Sequence, residues 1–371
     1  MKVVIDATCL GRRKTGNETF IRGLLSGFAA HRTQDLGFPT SPTGRIQVLT
    51  TEAHLGERSD AFEWIDIPKG NFFVRNFLTI PNELRRLQAD CFYATYWTRW
   101  WDHFPKKVVM VHDISFVSFP QGFHKHEQLF YANVVKQCAR NADHVCTVSE
   151  FSRQDISEKW KIPLDRITVT YDGLDDCFVP LEEGQESRVE NLNCPYILYV
   201  GNLHPRKNLV RLLEAFVQLK EQEKIEHRLV IVGQKAWLAG DVFQAVREHK
   251  LEDEVEFTGY VSQSELIAKY QNATMMVYPS LFEGFGLPVL EAMGCGCPVV
   301  TSNTTSIPEV AGNACVLIDP VSVNEIAAGI LSIIRDEKFR QELIQRGIVQ
   351  AQRFSWKDTA SKTMDLLERI I

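Results

Sequence analysis

Two glutamates eight residues apart, Glu283 and Glu291, flank a glycine-rich turn in the stretch Pro279-Ser280-Leu281-Phe282-Glu283-Gly284-Phe285-Gly286-Leu287-Pro288-Val289-Leu290-Glu291. Gly284 and Gly286 let the backbone come close to a ligand. Pro288 suits the first turn of a helix, and Gly294 and Gly296 suit its end. A helix starting there would aim free N–H groups and the positive end of its dipole at the turn, which makes an anion site. Two carboxylates beside an anion site make chemical sense if each accepts hydroxyl donors from a sugar or a ribose. The same spacing also suits an acidic loop residue and a helix-dipole partner, and spacing alone does not separate the two.

Arg206 and Lys207 follow an apolar run and open a helical pattern. Two cations at a helix start can clamp a diphosphate and offset charge developing on a leaving phosphate. An isolated Arg-Lys pair is more commonly a solvated turn. His112 ends the apolar run Val108–His112 and is followed by Asp113. Chemistry in doubly wound domains sits at carboxyl ends of strands, although a lone histidine there is more often structural. Gly16, with Gly11 and Thr15, lies in the loop after the first apolar run. Gly11-Arg12-Arg13-Lys14-Thr15-Gly16-Asn17-Glu18 nearly fits a P-loop, but Asn17 and Glu18 stand where the motif needs Lys and Ser/Thr. An NTPase is rejected on that ground, and the missing G-x-G-x-x-G disfavours an NAD site. No Asp-x-Asp triplet occurs that could hold a divalent ion on a diphosphate.

The elements that must position these residues alternate. Apolar, β-branched runs at Lys2–Ala7, Ile46–Thr50, Val108–His112, His144–Val148 and Ile167–Thr170 are separated by helical patterns at Asn17–Ala30, Asn71–Leu87, Lys125–Arg140 and Glu150–Trp160. Strands apolar on both faces, alternating with amphipathic helices, predict parallel sheets covered on both sides. Residues 178–193 are polar and aperiodic, the best linker in the chain. The alternation restarts at Tyr196–Val200 and continues through Leu229–Val232, Val255–Thr258, Met275–Tyr278, Val299–Thr301 and Ala314–Leu317. The fold class is therefore α/β, with two doubly wound domains at 1–178 and 179–354 and a last helix at 355–371 that folds back on the first. A cleft between two such domains is the expected ligand site.

Composition narrows the functions. The 371 residues are 44% hydrophobic and carry a formal net charge of −6. Binding of nucleic acid by a broad basic surface is excluded as an expectation. Nine cysteines in no paired spacing read as free thiols in a reducing compartment. The opening Met1-Lys2-Val3-Val4-Ile5-Asp6 is too quickly charged for a signal peptide, and no apolar stretch is long enough to span a bilayer. Tyr96-Trp97-Thr98-Arg99-Trp100-Trp101 concentrates aromatics that could stack on an acceptor sugar, touch a membrane surface, or simply pack. The amphipathic stretch Asn71–Leu78 could lie on a membrane, although a helix covering the first sheet is the plainer reading.

The segment Glu283–Glu291 resembles the E-x7-E motif of glycosyltransferase family 4, with Gly284-Phe285-Gly286-Leu287-Pro288 inside it and Glu291-Ala292-Met293 closing it. Tyr199–Leu209 resembles the family's phosphate-binding turn. Leu229–Gly233, Phe257–Val261 and Ser306–Gly312 also match, as do Thr15-Gly16, Val111–Asp113 and Val148–Ser152. The resemblance implies the GT-B fold, two Rossmann-like domains across a cleft. It implies retaining transfer of a sugar from a nucleoside-diphosphate-sugar to a hydroxyl, in polysaccharide or glycoconjugate synthesis. By this resemblance His112, Glu283, Arg206 and Lys207 form the catalytic set. Arg206 and Lys207 would contact the donor phosphates, Glu283 the donor-sugar hydroxyls and Glu291 the ribose hydroxyls. Phe285, Gly286 and Leu287 would offer backbone N–H groups, Tyr260 and Val261 would border the base, and Gly16 would approach the donor phosphate or the acceptor. His112 would orient the donor sugar and support the transition state.

The reaction expected needs no metal and no cofactor, and follows a front-face route in which the leaving phosphate helps deprotonate the acceptor. The acceptor would be a saccharide, a lipid-linked saccharide or a small molecule. The expected location is the cytoplasm, with peripheral contact to the membrane face. A nucleotide-sugar epimerase or hydrolase on the same fold is one rival; a non-catalytic nucleotide-sugar-binding protein is another.

Overall fold

The computed structural model describes residues 1–11, 16–33, 46–51, 58–99, 101, 104–181, 194–234 and 240–371. Thr15, Trp100 and most of the 178–193 linker lie outside the described residues. The chain divides into two compact units, one of residues 1–118, 123–173 and 355–371, the other of residues 119–122 and 174–354. The division at Gly173/Leu174 lies a little before the boundary at 178 read from the sequence, and the second unit also takes the short piece Phe119–Gly122.

Among the described residues the first unit holds seven parallel strands: β1 (Val3–Asp6), β2 (Ile46–Thr50), β3 (Glu63–Asp66), β4 (Cys91–Thr95), β5 (Lys106–Met110), β6 (His144–Thr147) and β7 (Ile167–Val169), in the order β3-β2-β1-β4-β5-β6-β7. Two of them, β3 and β4, are absent from the sequence reading. Strand β3 is an edge strand with no fully buried residue, so it lacks the apolar signature of the others. Strand β4 is buried throughout but built from Cys91-Phe92-Tyr93-Ala94-Thr95, only one of whose residues is β-branched. The helical stretch expected at Asn71–Leu87 is one helical path with a π turn at Arg75–Thr79. Pro81 accounts for the slip, because it has no N–H to donate and its ring crowds the carbonyl four residues back.

Helix Trp356–Ile370 belongs to the first unit and lies along the first helix, Gly16–Thr33. Its buried face carries Trp356, Thr359, Ala360, Thr363, Met364, Leu366 and Leu367. The His31 ring meets the Lys357 carbonyl at 2.9 Å, and Thr359 donates to the Tyr171 carbonyl.

Among the described residues the second unit holds six parallel strands: β8 (Tyr196–Val200), β9 (Arg228–Val232), β10 (Val255–Gly259), β11 (Met275–Tyr278), β12 (Val299–Ser302) and β13 (Val316–Ile318), in the order β10-β9-β8-β11-β12-β13. In each sheet the order reverses beside the unit's first strand, between β1 and β4 and between β8 and β11. Loops leaving the carboxyl ends of two strands at such a reversal diverge to opposite faces and leave a crevice, which is where open α/β sheets hold ligands. The turns carrying Arg206-Lys207 and Glu283 leave β8 and β11, the two strands at that point. Among the described residues no helix is long and apolar enough to cross a membrane.

Candidate active site

Strand β8 ends at Val200, and its turn runs through Gly201 to a 3-10 turn at Pro205–Lys207. His204 caps that turn, its Nδ1 accepting from the Arg206 N–H at 3.3 Å. Asn208 takes the left-handed conformation (φ 61°) and hands the chain to helix Leu209–Gln218. Its side-chain amide donates to the carbonyls of Pro279 (3.0 Å) and Pro320 (2.6 Å), while the Leu281 N–H donates to the Arg206 carbonyl at 2.7 Å. The two loops at the crevice are thus stitched together through their backbones.

The loop after β11 turns at Gly286, whose φ of 111° is left-handed territory, and a Cβ there would sit 2.7 Å from Ile307 Cδ1. Both the conformation and the space call for glycine. Helix Leu287–Gly294 then starts with Pro288 in its first turn. The Ser306 hydroxyl donates to the carbonyls of Glu283 (2.9 Å) and Phe285 (3.0 Å), and the Glu283 N–H donates to Thr305 Oγ1 at 3.3 Å. The Phe285 ring turns inward, edge-on to Phe354 at 5.6 Å between centroids, so only its backbone is left for a ligand.

At the centre, Glu283 is 5% exposed and its carboxylate holds both cations. Lys207 Nζ donates to Oε1 at 2.6 Å, and Arg206 Nη1 donates to Oε2 at 3.0 Å and to the Phe282 carbonyl at 3.0 Å. The Tyr278 hydroxyl donates to Oε1 at 3.0 Å, and its ring lies 4.7 Å from Lys207 Nζ. Burial pushes the Glu283 carboxyl up, but Lys207 and then Arg206 more than reverse this and hold it at about 2. Two cations against one carboxylate leave the cluster with a net positive charge, which suits an anionic ligand. Glu283 is first of all the counter-ion that orients Arg206 and Lys207, and Arg206-Lys207 is no solvated turn.

Glu291, in the helix that follows, is half-buried and accepts from the Tyr270 hydroxyl at 2.9 Å. Leu287 is half-buried in the first turn. Tyr260 and Val261 follow β10, on the rim of the sheet that also carries Arg206 and Glu283; Tyr260 is 57% exposed. His204, Asn208, Tyr270, Tyr278, Thr305 and Ser306 received no role from the sequence. For the two tyrosines there was a signal: an aromatic on a buried strand or helix face still has to place a hydroxyl.

Gly16 and His112 belong to the first unit. His112 lies just beyond β5, its carbonyl accepting from Thr147 Oγ1 at 3.2 Å. Its ring is edge-on to Phe20 (4.9 Å) and tilted against Tyr96 (5.6 Å). Burial brings it down to about 4, so the imidazole is neutral near pH 7. Its Nε2 has no hydrogen-bond partner among the described residues, which leaves a buried polar atom to be satisfied by something else. Asp113 caps the next turn, accepting from the Ser115 N–H at 2.8 Å. Gly16 opens the first helix with nothing within 4 Å of where its Cβ would be.

Comparison with known proteins decides the family. The family described as Glycosyltransferase Family 4 matches residues 36–177, and that described as Glycosyl transferases group 1 matches residues 182–350. The O-antigen chain mannosyltransferase B of Escherichia coli is 34% identical over 264 residues, 70% of this chain and 69% of that protein. The chain belongs to glycosyltransferase family 4. It is also 30% identical over 251 residues to the serotype-specific mannosyltransferase WbdA of Escherichia coli, spanning 65% of this chain and 30% of WbdA's length. Among solved structures, Anabaena HepE in complex with UDP-glucose superposes with a TM-score of 0.73 at 17% identity, covering 100% of both chains. That likeness establishes the GT-B fold for this glycosyltransferase.

Proposed function

We propose that the chain is a retaining hexosyltransferase that moves mannose from a nucleoside-diphosphate-sugar to a hydroxyl of a growing polysaccharide, without a metal. The observation that carries this reading is the buried Glu283–Lys207–Arg206 cluster at the sheet reversal. Its cations are held in place before the donor arrives, so they can meet charge developing on the diphosphate with little reorganisation. Glu291 grips the ribose hydroxyls, and Glu283 keeps the cations oriented while its remaining lone-pair capacity meets a sugar hydroxyl. Backbone N–H groups near Gly286 and Leu287 face the phosphates. His112 supports the donor sugar as a neutral group. The mannosyl assignment draws on the two Escherichia coli relatives, and the nucleotide-sugar assignment on HepE with UDP-glucose.

Mannose carried on guanosine, uridine or adenosine diphosphate is offered with oligosaccharide acceptors, and products are read by mass spectrometry and by the anomeric coupling in NMR. Transfer with retained configuration, within about twofold of the same rate in excess chelator, is the expected result, since fixed cations supply the stabilisation. Inversion, or loss of activity restored by magnesium or manganese, would remove the corresponding part of the reading.

Peripheral contact with a cytoplasmic membrane face is part of the same proposal. Phe73, Val74, Leu78, Trp101 and Phe104 are all about half exposed. Phe77 stacks on Trp101 at 5.5 Å, with the Arg99 guanidinium 5.8 Å from that indole. An aromatic surface with cations beside it suits an anionic interface. Trp97, by contrast, packs among Phe72, Phe130 and Tyr131, as the plainer reading of this cluster had it. Co-sedimentation with phosphatidylglycerol vesicles, reduced by Trp101→Ser and by salt, is the expected behaviour; equal recovery with neutral vesicles at high salt would argue against it.

A further inference from the structure

Each carboxylate of the Glu283–Glu291 motif receives the hydroxyl of its own buried tyrosine. Tyr278, the last residue of β11, donates to Glu283 Oε1 at 3.0 Å; Tyr270, in helix Gln263–Asn272, donates to Glu291 Oε2 at 2.9 Å. Both side chains are 0% exposed. Their rings are held by packing, Tyr278 stacked on Tyr199 at 6.1 Å and Tyr270 edge-on to Phe178 at 6.3 Å. A carboxylate only accepts and a phenol is the donor, so the direction of each bond is set. Burial holds both phenols well above their ordinary range, so they stay protonated and remain donors.

The two carboxylates differ in what else constrains them. Glu283 is buried between two cations, and Tyr278 touches the same oxygen as Lys207 while its ring also lies against that ammonium. Glu291 is half-buried on a short helix, away from the two cations that hold Glu283. Pinning one of its oxygens to a rigid, buried hydroxyl orders it in advance. Glu291 is half-buried, so water can replace the bond when that hydroxyl is removed; the fold then loses little while this fixed contact of the carboxylate is gone.

We propose that Tyr270 and Tyr278 are positioning residues for the transfer reaction: Tyr270 orders Glu291 for the nucleotide, and Tyr278 sets Glu283 and Lys207 for the chemical step. This rests on the reading of the cluster as the donor site.

The test uses the full chain and four variants: Tyr270→Phe, Tyr278→Phe, Glu291→Gln and Tyr270→Phe with Glu291→Gln. Binding of GDP, UDP and ADP is measured by calorimetry, and kcat and KM with the donor that supports transfer. Tyr270→Phe is expected to raise the nucleotide Kd and the donor KM roughly tenfold, with kcat within about twofold, the size of one hydrogen bond to a charged group. On the Glu291→Gln background the same change is expected to add less than about twofold, because the two groups act as one. Tyr278→Phe is expected to lower kcat roughly tenfold or more while the nucleotide Kd moves less than about threefold. A merely structural tyrosine would move neither parameter selectively and would add its effect on the Glu291→Gln background.

Wild-type binding by Tyr270→Phe, or full additivity in the double variant, overturns the proposal while leaving the donor site standing. A wild-type chain that binds none of the three nucleotides overturns the donor-site reading and this proposal together. If Tyr278→Phe does not fold, the Tyr270 cycle decides.

Discussion

Glu283→Ala is expected to abolish transfer and to destabilise the second unit, and the two effects share one cause. The carboxylate is the common partner of Lys207 and Arg206, with Lys207 itself 8% exposed. Deleting it leaves the buried ammonium with the Tyr278 hydroxyl but without its counter-ion, and breaking a buried pair from one side costs about 3–5 kcal/mol. Arg206, less buried, retains the Phe282 carbonyl and contributes less to that cost. Both cations also lose the group that aims them, so kcat should fall by at least 10²–10³-fold, roughly the effect of removing one preorganised donor from a transition state. Glu283→Gln separates the parts: it keeps the shape, loses the charge, and should recover part of the stability and little of the rate.

The pH dependence has a definite sign. Glu283 is held at about 2 in the folded chain against an ordinary value of 4.5. Its contribution to stability is therefore complete above the ordinary value and is lost as pH falls through the folded one. Acid unfolding of Glu283→Gln should lack that component. Urea unfolding at pH 7 and at acid pH, with initial rates for each variant, checks this. A folded Glu283→Ala protein with the wild-type rate would remove Glu283 from the site altogether.

Gly27→Ala is expected to destabilise the first unit strongly. The helix Gly16–Thr33 and the last helix Trp356–Ile370 meet where glycines surround Trp356. A Cβ on Gly27 would lie 2.1 Å from the Trp356 carbonyl oxygen and 2.7 Å from its carbon; one on Gly23 would lie 2.0 Å from the indole. At Gly27 the obstacle is backbone, so the whole terminal helix has to move to relieve it. Overpacking of this kind costs about 1–3 kcal/mol, and an immovable neighbour puts Gly27 at or above the top of that range. Gly16→Ala is the control, since its Cβ would meet nothing within 4 Å and alanine is the better helix former. Calorimetric melting of both variants should show a clear loss for Gly27→Ala and little change for Gly16→Ala. Equal melting temperatures would mean the two helices do not pack as described.

What the sequence by itself determined is local. Periodicity located most strands of both sheets, because a strand buried on both faces must be apolar whatever surrounds it. Gly286 and Pro288 marked a loop-to-helix turn, because conformational limits act within a few residues. The same logic missed β3, a half-exposed edge, and β4, which lacks β-branched runs. Tertiary structure decided how the charges are spent. Lys207 lies 76 residues from Glu283, and Tyr270 lies 21 from Glu291. No local pattern states that the first acid pairs with two cations while the second is tied to a tyrosine. The first pairing exists because the β8–β11 reversal brings two loops to one point, the second because helices Gln263–Asn272 and Leu287–Gly294 flank β11 in the chain and meet, and in both burial forces polar groups to find partners.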